Sequence, residues 1–172
     1  MAKKTSVTSV AIVMGSESDR PVMQESARAL ALFGIRHETH VLSAHRTPEE
    51  TLEFARNARA RGIRVLIAGA GSAAHLAGFL ASVTELPVIG VPLSPTGTTG
   101  YPFGSDALIS MVQMPKGVPV ACVAINGAWN AGLLAAQILG ASEEKGSMLT
   151  RMRKYKDDLR KKVLQKTSPR KV

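Results

Sequence analysis

The sequence predicts an α/β protein built on a parallel sheet of about five strands. Three observations carry that expectation. Short β-branched runs recur along the chain, each is followed by a longer segment of helical spacing, and the runs are apolar almost throughout rather than alternating. Strands of that kind are covered on both faces, and strand–helix alternation is the mark of parallel crossovers. Five such units suit a three-layer, doubly wound sheet of the flavodoxin-like or Rossmann-like kind, ordered 2-1-3-4-5.

The first strand is expected at residues 10–13, ended by the turn Gly15-Ser16-Glu17-Ser18-Asp19. Pro21 suits a first helical turn, and Val22, Met23, Ala27, Leu30 and Ala31 follow at helical spacing before Gly34 stops the helix. Residues 36–42 read as the second strand. Thr47-Pro48-Glu49-Glu50 then has the form of a capping box with proline at the first helical position, opening a helix that runs to Gly62. Residues 65–68 are the third strand, leading into Gly69-Ala70-Gly71 and a small-residue helix that starts near Ala73. The fourth strand, 88–91, is followed by a long loop from Pro92 to Gly104. Ser105 and Asp106 open a helix through Met114, ended by Pro115, and residues 118–125 are the fifth strand. An Ala/Leu helix over 131–139 is broken by Gly140. A charged last helix over 142–166 carries Met148, Met152, Tyr155 and Leu159 on one side. With both sheet faces already supplied with helices, that stripe is expected to pack on a neighbouring subunit.

Composition narrows the function classes. The 172 residues are 45% hydrophobic and 20% charged, as expected for one folded domain that needs no covalent staple. A single cysteine, Cys122, excludes an intrachain disulfide and any multi-cysteine metal site. The longest strongly apolar run, 118–125, is far short of the ~20 residues of a membrane span. The apolar stretch after Lys3 and Lys4 is too short for a signal peptide. The expectation is a reducing, cytoplasmic protein. The net charge of +9 lies at the ends: residues 141–172 contribute +7, Lys3 and Lys4 the rest, and the body is neutral. A basic patch on the folded body, interleaved with aromatics, is absent, so no nucleic-acid or membrane partner is expected, and the tail reads as a solvated basic helix. Residues 1–140 are expected to form the catalytic domain, with 141–172 part of it or of oligomer packing.

In doubly wound sheets, ligands bind beyond the carboxyl ends of the strands at the switch point. Three strand-end segments stand out. After the first strand, Gly15, Ser16, Ser18 and Asp19 combine a tight turn, hydroxyl donors and a helix start, which favours phosphate. The same Ser18 or Asp19 also suits a plain helix N-cap. The segment has neither a P-loop lysine nor G-x-G-x-x-G, which argues against nucleoside triphosphates and dinucleotides. After the second strand, Ser43-Ala44-His45-Arg46 sets a proton carrier beside an anion fork, although both side chains also suit a solvated loop. After the third, Gly71, Ser72, Ala73, Ala74, His75 and Leu76 continue a run of small residues whose amides suit a small or developing anion, or else tight helix packing. His75 by itself reads as a helix-start packing or hydrogen-bonding residue. His37 and His40 read as structural or surface side chains.

These segments in this order, with Pro87-Val-Ile-Gly-Val-Pro92 and Val112-Gln-Met-Pro-Lys-Gly-Val-Pro119, resemble one family closely. It is the class I N5-carboxyaminoimidazole ribonucleotide mutases of purine biosynthesis, which also includes aminoimidazole ribonucleotide carboxylases. The resemblance covers about residues 10–140, and Arg46 with the 69–75 run favours the mutase class over the carbon-dioxide-using one. It implies a three-layer subunit in a homo-octamer, a ribonucleotide substrate and no cofactor or metal. It further implies that Ser16, Asp19 and Arg46 bind the ribonucleotide, and that Ser43 and His45 lie beside the reacting ring. The 71–76 loop would close over the carboxylate or carbon dioxide, with His45 the general acid/base. Ser72 and Ala77 stand where that family commonly has glycine and proline. The 93–104 connection looks longer than usual and Asn126-Gly-Ala-Trp-Asn130 shorter, which bears on substrate detail or subunit packing. The remaining alternatives are direct carboxylation with free carbon dioxide and a non-catalytic nucleotide-binding module.

Overall fold

The computed structural model describes residues 9–94, 104–143 and 146–167. Lys3, Lys4, most of the 93–104 connection and the end of the basic tail lie outside the described residues.

Five parallel strands, β1 (Val10–Met14), β2 (His37–Val41), β3 (Val65–Gly71), β4 (Val88–Leu93) and β5 (Ala121–Cys122), form one sheet ordered β2-β1-β3-β4-β5. That is the expected order. The pleat sorts the strand residues between two cores. Val10, Ile12 and Met14 of β1 face one way, with Val65 and Ile67 of β3, towards α1 (Arg20–Leu32), α5 (Ala128–Ala141) and the start of α6 (Ser147–Thr167). Ala11 and Val13 face the other way, with Leu66 and Ala68, towards α2 (Pro48–Asn57), α3 (Leu76–Val83) and α4 (Ser105–Val112). Every residue of β1 is fully buried, which is why its sequence is apolar without alternation.

Several boundaries differ from the sequence expectation, each for a physical reason. The 118–125 run pairs as a strand only at Ala121 and Cys122, opposite Ile89 and Gly90. It is the outer edge of the sheet, and Pro119 has no N–H to give a ladder. Residues Ser72 and Ala74 have positive φ, so α3 begins at Leu76 rather than near Ala73. Helix α2 stops at Asn57, and the chain reaches Gly62 (φ 93°) through turns. Helix α4 ends at Val112, two residues short of Met114. The Thr47 hydroxyl does not cap α2: it accepts the Ser43 N–H (2.9 Å) and donates to the Ser43 carbonyl (3.2 Å). The reciprocal capping bonds form instead at the first turn. There the Ser16 hydroxyl accepts the Ser18 N–H (3.4 Å) and the Asp19 carboxylate accepts the Ser16 N–H (2.9 Å).

Gly140 does not break the Ala/Leu helix, which starts at Ala128 and runs through it. A Cβ there would lie 2.9 Å from Met148 Cβ, so the glycine is the place where α6 crosses α5. Met148 and Met152 are accordingly buried within this chain, and Tyr155 packs beside them. The stripe expected to meet a neighbouring subunit is therefore used internally. Only its distal member, Leu159, is exposed. Arg151 donates to the Phe33 carbonyl (2.9 Å), and the Trp129 indole donates to the Tyr155 hydroxyl (3.0 Å), pinning α6 to α1 and α5.

Helices α1 and α5 approach each other closely. The buried Ser26 hydroxyl donates to the Ala128 carbonyl (2.6 Å), and a Cβ on Gly132 would fall 2.7 Å from Ala29 Cβ and 2.8 Å from the Ser26 carbonyl oxygen. The second contact is backbone, which cannot rotate away. Gly132→Ala should therefore lose stability by roughly 1–3 kcal/mol from overpacking, more than the ~1 kcal/mol that alanine gains as a helix former. Thermal melting checks this: a lowered Tm is expected, and an unchanged or raised one contradicts the contact.

Candidate active site

The cleft lies where the sheet order reverses. Met14 at the end of β1 is in register with Val41 of β2 and Gly69 of β3. Two further bonds, Leu42 N–H to the Met14 carbonyl (2.9 Å) and Gly15 N–H to the Gly69 carbonyl (3.2 Å), carry the pairing just past the strand ends. The chain leaves β1 and β3 toward opposite faces of the sheet, and the gap between those departures is a cleft of about 730 Å³.

Each strand end supplies one wall. From β1 come Gly15, Ser16, Ser18 and Asp19; from β2, Ser43, His45 and Arg46; from β3, Gly71, Ser72, Ala74, His75 and Leu76. All of these were expected from the sequence. Ala73, also expected, is exposed and does not line the cleft, because the positive φ of its two neighbours turns it outward. Pro21, Val22, Ala44, Ala70, Leu93 and Ser94 line it as well and were not singled out. For Leu93 and Ser94 a signal existed: the switch-point rule applies to the end of every strand beside the crevice, β4 included.

The polar groups are tied to one another across the strand ends. The Ser43 hydroxyl accepts from the Arg46 N–H (3.2 Å) and lies 3.5 Å from its Nε, while Arg46 Nη2 donates to the Gly15 carbonyl (2.6 Å). The guanidinium is thereby held over the β1 turn with donors remaining for an anion. Asp19 is partly buried beside it. Burial raises its carboxyl above the usual range, opposed by the Ser16 N–H and the Arg46 charge.

His45 and His75, thirty residues apart, meet directly: His45 Nε2 lies 2.8 Å from His75 Nδ1, with the rings nearly perpendicular at 75°. His75 thus contacts His45 as well as being the residue that opens α3. A contact this short between two imidazole nitrogens requires one to carry the proton and the other a lone pair. His37 and His40 lie away from the cleft: His37 Nδ1 is 3.1 Å from the Ile35 carbonyl, and the His40 ring packs on Phe54. Among the described residues, no three His, Cys, Asp or Glu side chains are placed together to hold a metal ion.

The third wall is conformationally costly. Ser72 (φ 54°) and Ala74 (φ 43°) adopt the left-handed region, which disfavours residues with a Cβ by about 1–2 kcal/mol each. Such positions persist where packing fixes them and cluster at ligand sites.

The model of the AIR carboxylase family matches residues 9–162. The chain belongs to the AIR carboxylase family. The N5-carboxyaminoimidazole ribonucleotide mutase of Thermotoga maritima is 52% identical over 157 residues, covering 91% of this chain and 88% of that one. The chloroplastic phosphoribosylaminoimidazole carboxylase of Vigna aconitifolia is 49% identical over 163 residues, which are 94% of this chain but 28% of that longer protein. The crystal structure of Treponema denticola PurE superposes with a TM-score of 0.77 at 29% identity, covering 91% of this chain and 94% of that one.

The histidine contact has a direct readout. In the neutral form, nitrogen-15 spectra of histidine-labelled protein should show one of His45 Nε2 and His75 Nδ1 protonated and the other bare. His75→Ala should return His45 to the mixed tautomers of a free imidazole. An identical His45 pattern in both proteins would contradict the contact.

Proposed function

We propose that this protein interconverts N5-carboxyaminoimidazole ribonucleotide and 4-carboxy-5-aminoimidazole ribonucleotide, moving a carboxylate from the exocyclic amine to carbon C4 in purine biosynthesis. The observation that carries this reading is the His45–His75 contact, which lines the same cleft as Arg46 in a chain of this family. A module that only held phosphate would not need a proton-sharing pair beside its anion fork.

The N–C bond of the carbamate breaks to give carbon dioxide and an electron-rich aminoimidazole. C4 then attacks the enclosed carbon dioxide, and the new carbon centre loses its proton. The net change is one proton from C4 to the exocyclic nitrogen as the carboxylate moves the opposite way. His45 suits the proton transfer, with His75 stabilising whichever form of the ring results. Arg46 and the hydroxyls of Ser16 and Ser18 suit the phosphate, and the Asp19 carboxylate suits ribose hydroxyls. Ser43, by holding Arg46, fixes the loop that presents His45. The amides of the 71–76 loop suit the carboxylate and the carbon dioxide derived from it. Rate enhancement then rests on orientation and on retention of carbon dioxide.

Direct carboxylation by free carbon dioxide is a second reading, favoured by the name of the Vigna relative. Supplying each imidazole substrate separately distinguishes them. The mutase reading expects turnover of the carbamate without added bicarbonate, and turnover only of aminoimidazole ribonucleotide with bicarbonate would overturn it. His45→Asn should keep most ligand affinity while losing at least ~10²-fold in turnover. Near-normal turnover in that folded variant removes His45 from the role.

The assembly reading is a cytoplasmic homo-octamer. Ile109 and Val112 of α4 and Leu159, Val163 and Leu164 of distal α6 are exposed apolar side chains suited to subunit contacts. Among the described residues, no helix is long and apolar enough to cross a membrane. Sedimentation of the full chain at micromolar concentration checks the assembly, and a monomer would overturn it.

A further inference from the structure

Two residues of the third wall share an unfavourable backbone conformation, but only one has a packing reason for it. Ala74 (φ 43°) is 3% exposed, belongs to the core between the sheet and α2–α3, and donates its N–H to the Gly71 carbonyl (3.1 Å). Ser72 (φ 54°) joins neither core. Its side chain is exposed and lines the cleft, and among the described residues its hydroxyl has no hydrogen-bond partner. A residue kept in such a backbone state without packing is a candidate for function.

Its position says which function. Arg46 is the only lysine or arginine among the described residues that line the cleft, and it is anchored on the β1–β2 side through Gly15 and Ser43. Ser72 follows β3, on the opposite side of β1. A ligand with two anionic groups therefore meets the guanidinium with one and only neutral or shared donors with the other. At the second group an added hydroxyl donor matters most, because a hydrogen bond to a carboxylate is stronger than one between neutral groups.

We infer that the Ser72 hydroxyl donates a hydrogen bond to the migrating carboxylate and is a specificity-determining residue that separates carboxylated from decarboxylated ribonucleotide. This rests on the mutase reading and adds to it a residue-level source of substrate discrimination.

Calorimetric titration of wild type, Ser72→Gly and Ser72→Ala with 4-carboxy-5-aminoimidazole ribonucleotide and with aminoimidazole ribonucleotide tests it. Glycine removes the hydroxyl and the strain; alanine removes the hydroxyl and keeps the strain. Both variants should bind the carboxylated ligand about tenfold more weakly and the decarboxylated one as wild type does. The glycine variant should melt no lower than wild type, which separates lost affinity from lost structure. Unchanged affinity for the carboxylated ligand, or equal loss for both ligands, overturns the inference. A wild-type protein that binds neither ligand overturns the mutase reading itself, and the inference with it.

Discussion

The structure depends on the parallel pairing of β1 with β2 on one side and β3 on the other. Fully buried and hydrogen-bonded along both edges, β1 sets the register of β2 and β3, with Met14 level with Val41 and Gly69. Whatever follows those strands must converge, because Gly15 is bonded to Gly69 and Leu42 to Met14 just beyond the last ladder rungs. The two histidines, one after β2 and the other after β3, have only β1 between their strands, and their loops bring them within 2.8 Å. A register slip of one residue would invert the faces of β1 and pull the walls apart.

The helical layer of α1, α5 and α6 keeps that frame rigid. Small residues bring α1 and α5 close together, and the Ala128 carbonyl at the start of α5 satisfies the buried Ser26 hydroxyl. Helix α1 carries Pro21 and Val22 into the cleft wall while its Met23 fills the space left by Gly69 beneath the site. The packing of this layer and the shape of the cleft are thus set by the same helix.

Much of this was legible in the chain because parallel strands announce themselves by continuous apolar runs and because strand ends carry the functional residues. The order of strands and the three walls followed from those two facts. Edges and close approaches were harder to read. The β5 run is apolar for eight residues yet pairs for two, since its outer edge has no partner. Gly140 has the form of a helix stop, and only the crossing of Met148 reveals it as a packing site. The pairing of His75 with His45 had no local signal, because it arises from two loops that only the sheet brings together. The role of Thr47 was misplaced for a similar reason: its hydroxyl serves the Ser43 turn, a contact the spacing alone did not distinguish from a cap.

On the proposed mutase reaction, the carboxylate crosses from nitrogen to carbon without leaving the cleft. Turnover of carbamate labelled with carbon-13 in its carboxylate, in the presence of unlabelled bicarbonate, measures that directly. Product in which most of the label is retained at C4 is expected. Product whose label has equilibrated with the bicarbonate pool would contradict it and place the carbon dioxide in free solution between the two steps.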